Sequence, residues 1–476
     1  MNKPRGKALV SGKFKVIHSG HIRLFKLARE LSEELVVALD VTGLDSSDIS
    51  WRLKALESID FVSRVLTYES NIKETLLTEK PDTVVKGSEF SQAFNVEEKL
   101  LAQWDGRLIF SSGDSFFSEK DMIDSPYDNQ IRKNFPLPQD FMQRHKISII
   151  RLLELLESFE GKKVCVIGDL IIDEFINCHP LGMSQEEPTI VVTPIDKKRF
   201  LGGAGIVAAH CASLGANTTL MTIRGDDEVG EWSVKMCSEY GFEMFSLVDS
   251  TRPTTHKQRF RSGSQTLLKL THLRQENISS ELEAKLVEKC KIIVQASDVV
   301  IFSDFSYGVL TAKVTREVLK MSKIGKAFVA ADSQSSSQMG DLSRFLSCDL
   351  ITSTEREARL ELRDENSGLV ILAEKLRSSL DAKNLLLKLG GDGLIIHGKN
   401  ESGELVITDQ VPALNDSFID TSGAGDSLLS TAALCLTTDA TIYEAALLGS
   451  VVAAIQVGRL GNLPVTKSQV INSLQT

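Results

Sequence analysis

Between residues 7 and 126 the sequence alternates short β-rich runs with amphipathic segments, and that alternation leaves few folds open. "KALVSG", "ELVVALDV", "SRVLTY", "TVVKG" and "RLIFSSG" read as strands, and the segments between them, built on "IRLFKLAREL", "WRLKALESI", "NIKETLLTE" and "EEKLLAQW", read as helices. In the first helix Ile22, Leu24, Phe25, Leu27, Ala28 and Leu31 recur at helical spacing. Such a chain forms a parallel sheet covered by helices, with ligand loops at the carboxyl ends of the strands. Residues 127–145, "YDNQIRKNFPLPQDFMQRH", interrupt the rhythm with two prolines and mixed charge and read as a linker. An amphipathic helix, "ISIIRLLELLESFEGKK", follows, and "VCVIGDLIID" opens a second α/β region. The expectation is a domain over 1–126, a linker over 127–145 and a larger domain over 146–476.

Bulk properties narrow the class of partner. At 476 residues the chain exceeds one ordinary domain, and 42% hydrophobic with 25% charged residues is a globular composition. The net charge of −10 argues against a nucleic-acid or anionic-membrane partner but leaves room for small anions held in local sites. Seven cysteines lie between Cys165 and Cys435 without a CxxC pair, which suits reduced core thiols better than a disulfide framework or a zinc site. The sequence has no apolar leader and no stretch of membrane-spanning length, so a cytoplasmic location is expected.

Two stretches carry chemistry. "GKFKVIHSGH", from Gly12 to His21, lies where a strand turns into a helix N-terminus, with unpaired backbone N–H groups and the positive end of the helix dipole. Such a place attracts phosphate, and at spacing i, i+3 His18 and His21 can both face it. The plainer alternative is a pair of polar residues at a helix start. "DTSGAGDS", residues 420–427, is sharper. Gly423 and Gly425 leave backbone N–H groups bare ahead of "SLLSTAALCL", and Asp426 stands beside them, placed to take a proton from a hydroxyl. An anion hole next to a carboxylate base is what moving a γ-phosphate onto an alcohol requires.

Residues 7–126 resemble the HxGH nucleotidyltransferase family, which joins a nucleoside triphosphate to a phosphorylated small molecule and releases pyrophosphate. "SWRLKALESIDFV" is similar to the family's Arg-containing helix, "KPDTVVKGSEF" to its "PD-VKGGD" element, and "SGDSFFSEKDMI" stands at its Ser/Thr-rich helix start. The resemblance implies that His18 and His21 bind the α- and β-phosphates, and that Gly12, Phe14, Lys86, Gly87 and Ser118 border the nucleotide. Lys15 stands where sugar-phosphate members carry Asp, and Glu119 and Lys120 replace a Thr pair.

The second region resembles the ribokinase/PfkB-type sugar kinases over about 320 residues, through "VIGDLIIDEF", "FLGGAGIVAAHCASLGA", "GDDEVG", "RPTTHKQRF", "SDFSYGVLT", "LKLGGDGL" and "DTSGAGDS" in that order. Its flavour is similar to the kinase half of the bifunctional heptose-7-phosphate kinase/heptose-1-phosphate adenylyltransferase family, whose domain order is here reversed. The resemblance implies Asp426 as base and Gly423, Ala424 and Gly425 as anion hole. It also implies Asp173, Gly202, Gly203 and Lys257 at the sugar, Lys388, Gly390 and Gly393 beside ATP, and Glu357 acting through Mg²⁺-bound water. Five positions depart from the family: Ile206 for Asn, Thr354 for the Asn of "NxxE", Tyr307 for Lys, Gln334 for the Lys of "DPKG", and Gly182 for Arg.

The sequence is thus expected to be α/β with two domains, an N-terminal Rossmann-like nucleotidyltransferase and a C-terminal ribokinase-like sandwich with a small β lid. The expected ligands are a sugar or sugar phosphate, ATP (or CTP at the first site) and Mg²⁺, without nucleic acid or membrane, in a homodimer formed through the kinase domain. A different reading keeps the nucleotidyltransferase active and makes the second domain a weakened binding or dimerisation module. The intact "DTSGAGDS" opposes that reading, whereas Ile206, Thr354 and Tyr307 favour it.

Overall fold

The structure, a computed structural model, describes residues 6–14, 17, 19–87, 96–104, 106–111, 135–263, 265–334, 340–399, 406–415 and 418–475. The chain divides into two compact units, 1–130 and 131–476.

The first unit is built on a five-stranded sheet of β1 (Lys7–Gly12), β2 (Glu34–Asp40), β3 (Arg64–Tyr68), β4 (Thr83–Gly87) and β5 (Arg107–Ser111). All four neighbouring pairs are parallel, in the order β3-β2-β1-β4-β5. Strand alternation divides the apolar residues between the two faces. Ala8, Val10, Val37 and Leu39 pack with Phe25 and Ala28 of the helix Ser19–Glu30 on one side; Leu9, Val36, Ala38 and Val84 pack with Leu76 and Leu101 on the other. Because the chain leaves β1 in one direction for β2 and β3 and returns on the other side at β4, a crevice opens between the carboxyl ends of β1 and β4.

The second unit has a nine-stranded sheet ordered β10-β9-β6-β13-β14-β15-β16-β17-β18. Its strands are β6 (Lys163–Gly168), β9 (Asn217–Arg224), β10 (Glu243–Val248), β13 (Val299–Asp304), β14 (Phe328–Ser333), β15 (Leu350–Thr354), β16 (Asn384–Lys388), β17 (Leu394–Lys399) and β18 (Val406–Val411). The strands are parallel up to β16, and β17 and β18 close the edge antiparallel. Val166, Ile301 and Leu386 meet the buried helices Ala204–Ser213, Ala424–Cys435 and Ile442–Val457 on one face; Ile167, Phe302 and Leu385 meet Ser280–Gln295, Ala312–Gly325 and Leu369–Ser379 on the other. A second sheet, ordered β12-β11-β7-β8, is the expected small β layer: β7 (Leu170–Met183) and β8 (Ile190–Gly203) form a long hairpin, joined by β11 (Thr255–Ser262) and β12 (Gln265–His272). No helix among the described residues is long and apolar enough to cross a membrane.

The expected linker needs correction at its carboxyl end. Residues 127–134 lie outside the described residues, but Gln139–Arg144 form a helix, and its Phe141 and Met142 are buried in the core of the second unit. Arg144 Nε donates to Asp409 Oδ2 on β18 (2.8 Å), and the His145 ring stacks on Tyr443 at 3.6 Å. The two prolines misled the reading: Pro138 is the residue that caps this helix, a place where a missing N–H costs little. Emptying the Phe141 site removes a large buried ring, worth about 3–5 kcal/mol. Phe141→Ala should therefore lower the unfolding temperature of the second unit and leave that of the first unchanged, which differential scanning calorimetry of the full chain would read.

Candidate functional site

In the first unit the phosphate-attracting stretch lies at the carboxyl end of β1, on the crevice between β1 and β4. His21 is the third residue of the helix Ser19–Glu30, and its ring meets the ring of Phe14 edge-on, with centroids 5.1 Å apart. Phe14 is buried and holds φ at +40°, a strained value for an aromatic residue, which folds its ring back over Gly12 and against Phe25 at 5.4 Å. A Cβ at Gly12 would come within 3.0 Å of that ring, so the open side of Gly12 is taken by Phe14. Lys86, the penultimate residue of β4, pairs with Glu97 at 2.9 Å, and Gly87 ends the strand. Arg52 ties the next helix to the same turn by donating to the carbonyl of Lys13 (3.0 Å). Gly12, Phe14, His21, Lys86 and Gly87 thus gather at one end of the sheet, while His18 and Ser118 lie outside the described residues. Glu97 was not singled out by the sequence; it comes from a short helix after β4 that carries no motif.

The second unit concentrates acids and one lysine at the carboxyl ends of its parallel strands. Gly423 caps the helix Ala424–Cys435 at φ +77°, and a Cβ there would strike Asn462 Oδ1 at 2.0 Å; glycine satisfies both constraints. The cap places Ala424 and Gly425 in the first turn with their N–H groups unclaimed by the helix, and Asp426 directly after them, buried. Gln334 Nε2 donates to Asp426 Oδ1 at 3.0 Å. Lys388, at the end of β16, places Nζ 2.8 Å from Asp332 Oδ1 and 3.2 Å from where a Cβ of Gly425 would stand. Burial lowers the affinity of Lys388 for its proton, but Asp332 and Glu357 outweigh it and raise the pKa, keeping the ammonium charged. Burial, reinforced by the negative charge of Asp332, pushes Asp426 up to about 7 against the opposing pull of Lys388. Gly390 and Gly393 shape the turn that leads from Lys388 into β17.

The small sheet supplies the other wall. Asp173 on β7 is buried and its pKa is raised by desolvation, with Arg259 and Lys257 of β11 opposing. Its charge is felt by Asp426, so the two acids share one site. Arg259 reaches Asp173 at 3.7 Å and donates to Ser422 Oγ at 3.1 Å, linking the small sheet to the loop before the anion hole. Lys257 holds its ammonium 5.2 Å from the ring centroids of both Phe305 and Tyr307.

Three expectations change in detail. Gly202 was expected to let the sugar approach backbone, but the space of its side chain is filled by Asp173 Oδ2, 2.6 Å from the Cβ position. Gly203 (φ +55°) is required by the carbonyl of Asp169, 2.4 Å from its Cβ position, where the chain enters the helix Ala204–Ser213. Glu357 spends Oε2 on the N–H of Thr354 (2.7 Å), completing a capping box, so Thr354 acts as a helix cap. Among the departures, Ile206 is core and Gly182 lies on the hairpin at φ +121° with nothing nearby.

Sequence reasoning passed over two acids. Asp332 is the penultimate residue of β14, in "AADS", buried; its Oδ2 has no hydrogen-bond partner among the described residues. Asp169, between β6 and β7, accepts from the N–H groups of Phe305 (2.8 Å), Tyr307 (3.2 Å) and Val309 (3.3 Å), and so fixes the aromatic loop beneath Lys257. A charged residue closing an otherwise apolar parallel strand was the available signal for both.

Comparison with known proteins agrees with this architecture. The family model described as pfkB family carbohydrate kinase matches residues 161–467. The chain is 32% identical over 327 residues to the "Bifunctional protein HldE" of Caulobacter vibrioides, covering 67% of this chain and 64% of that protein. It is 27% identical over 326 residues to the protein of the same name from Helicobacter hepaticus, covering 67% and 65%. The chain therefore spans less than two thirds of the length of these relatives. Among solved structures, Arabidopsis thaliana ribokinase complexed with ribose and ATP superposes with a TM-score of 0.52 at 18% identity, over 66% of this chain and 99% of that one. Escherichia coli phosphofructokinase-2 in complex with substrates and products gives 0.54 at 16%, over 66% and 98%. These likenesses share the fold of the second unit, and with its family model matched over most of the chain, the protein belongs to the pfkB family of carbohydrate kinases.

Proposed function

We propose a bifunctional enzyme of nucleotide-sugar synthesis. The second unit phosphorylates a heptose-like sugar or sugar phosphate with ATP at the anomeric carbon; the first transfers a nucleotidyl group from ATP or CTP to a sugar 1-phosphate and releases pyrophosphate. The observation that carries the reading is the buried Asp426, its pKa pushed up to about 7, beside the N–H groups of Gly423–Gly425, of which only that of Ala424 is bonded among the described residues, at long range to the Thr421 carbonyl (3.4 Å). In phosphoryl transfer Asp426 takes the acceptor's hydroxyl proton while those N–H groups and the Lys388 ammonium meet the charge on the transferred phosphate. Asp173 and Lys257 orient the sugar. Mg²⁺ would neutralise phosphate charge, with Glu357 acting through bound water.

For nucleotidyl transfer the support is positional. His21 and Lys86 stand at the crevice where such sheets bind nucleotides, and in-line attack on the α-phosphorus needs placement and charge stabilisation rather than a covalent intermediate. The relatives' printed name, a bifunctional protein, also supports two activities in one chain. The acceptor is proposed to differ from heptose 7-phosphate, since Ile206 is core and the Lys257 ammonium lies over the rings of Phe305 and Tyr307.

Masses of products formed from ATP or CTP with a panel of sugars and sugar phosphates test the reading. Heptose 7-phosphate should be a poor acceptor and another sugar a better one; efficient turnover of heptose 7-phosphate would refute the altered acceptor, and no phosphorylated sugar at all would favour a binding module. Asp426→Asn should cut sugar phosphorylation by roughly 10²- to 10⁴-fold. His18→Ala should lower pyrophosphate release by on the order of 10²-fold without touching sugar phosphorylation. The raised pKa also has a sign. Folded Asp426 keeps its proton up to a pH of about 7, whereas the unfolded chain releases it at about 4. Its contribution to stability is complete below about pH 4 and is lost as pH rises through about 7. Asp426→Asn should accordingly raise the unfolding temperature of the second unit at pH 8 and leave it nearly unchanged at pH 4.

A further inference from the structure

Gln334 follows β14 directly, and its backbone N–H donates to the carbonyl of Asp304 at 2.8 Å, so its position is set by the sheet. From there its side-chain amide reaches Asp426 Oδ1 at 3.0 Å. The other oxygen of Asp426, Oδ2, makes no hydrogen bond to the described residues. One oxygen of the carboxylate is anchored, and the other remains for a ligand.

We propose that Gln334 is a positioning residue for phosphoryl transfer: its amide holds Asp426 by Oδ1 and turns Oδ2 toward the acceptor hydroxyl. The inference rests on the kinase reading above. In the step concerned, the acceptor oxygen forms a bond to the γ-phosphorus of the nucleoside triphosphate, the bond from that phosphorus to the β,γ-bridging oxygen breaks, and the diphosphate leaves with the electron pair. The acceptor's proton passes to Asp426 Oδ2. An amide suits the anchor because it donates without adding charge. The charged groups around Asp426 are Asp332 on β14, Lys388 on β16, Asp173 on β7, and, a step further out, Arg259 on β11 and Asp420 before the anion hole. A neutral donor holds the carboxylate without cancelling the burial and Asp332 charge that make it basic.

The test uses the full chain, with ATP and the best acceptor from the sugar panel, and follows ADP release from pH 5 to 9. Gln334→Leu should lower kcat about 10-fold or more, leave KM for ATP within about two-fold, and move the pH midpoint of kcat/KM upward, because a hydrogen bond to the ionised form is gone. Gln334→Lys should restore a donor but move that midpoint down by about one unit or more, because an ammonium now stabilises the carboxylate. A purely packing role would change neither midpoint. A thermal-unfolding cycle of wild type, Gln334→Leu, Asp426→Asn and the double variant should show coupling between the two residues at pH 8 that disappears at pH 5. Wild-type kcat and pH midpoints in both Gln334 variants, with Asp426→Asn inactive, would overturn the role of Gln334 alone. Full activity in Asp426→Asn, or no acceptor phosphorylated by wild type, would overturn the kinase reading and this inference with it.

Discussion

Lys388 places one ammonium between two acids, 2.8 Å from Asp332 and packed against the first turn that carries Asp426. Burial makes both acids hold their protons more readily than an ordinary Asp, against the pull of Lys388. Asp332 accepts from Lys388 and from Thr352 Oγ1 (2.8 Å), whereas Asp426 accepts from a neutral amide, and burial together with the charge of Asp332 pushes Asp426 up to about 7. The arrangement of the larger site follows from these three groups: one acid tied to the lysine, and another held by an amide at the mouth of the anion hole.

Much of this was legible in the sequence because the same few residues do local and global work. The alternation of β-rich and amphipathic runs specified the sheet of the first unit, while the second was read through its motifs. "DTSGAGDS" was readable because a glycine at Gly423 is demanded by backbone geometry, and an acid placed just after it cannot avoid the helix terminus. What stayed hidden depended on contacts distant in sequence. Asp332 and Gln334 lie more than fifty residues from the lysine and more than ninety from the base, and the "DPKG" resemblance marked Gln334 as a departure without pointing to Asp426 as its partner. The hairpin of β7 and β8, two strands of 14 residues each, was likewise not visible as a hairpin, because its outer half is exposed on both faces and lacks clean alternation.

The departures from family pattern divide along the same line. Ile206 became packing, Thr354 a helix cap, and Tyr307 half of the aromatic bed under Lys257. Each substituted side chain has found a structural occupation.

The passage from the large sheet to the small one takes a single residue. β6 ends at Gly168, β7 begins at Leu170, and Asp169 between them is pinned by three backbone N–H groups. Side chains along β7 alternate in direction, so the count from that pin decides which of two adjacent acids faces the anion hole: Asp173 does, while Glu174 turns away to Arg199 and Gln258. The two acids differ by one methylene but by a whole side of the sheet. The chemical identity of this wall is therefore a matter of odd and even numbering: a chain one residue shorter at the pin would bring Glu174 to the place of Asp173, and would turn the remaining side chains of β7 to the opposite face with it.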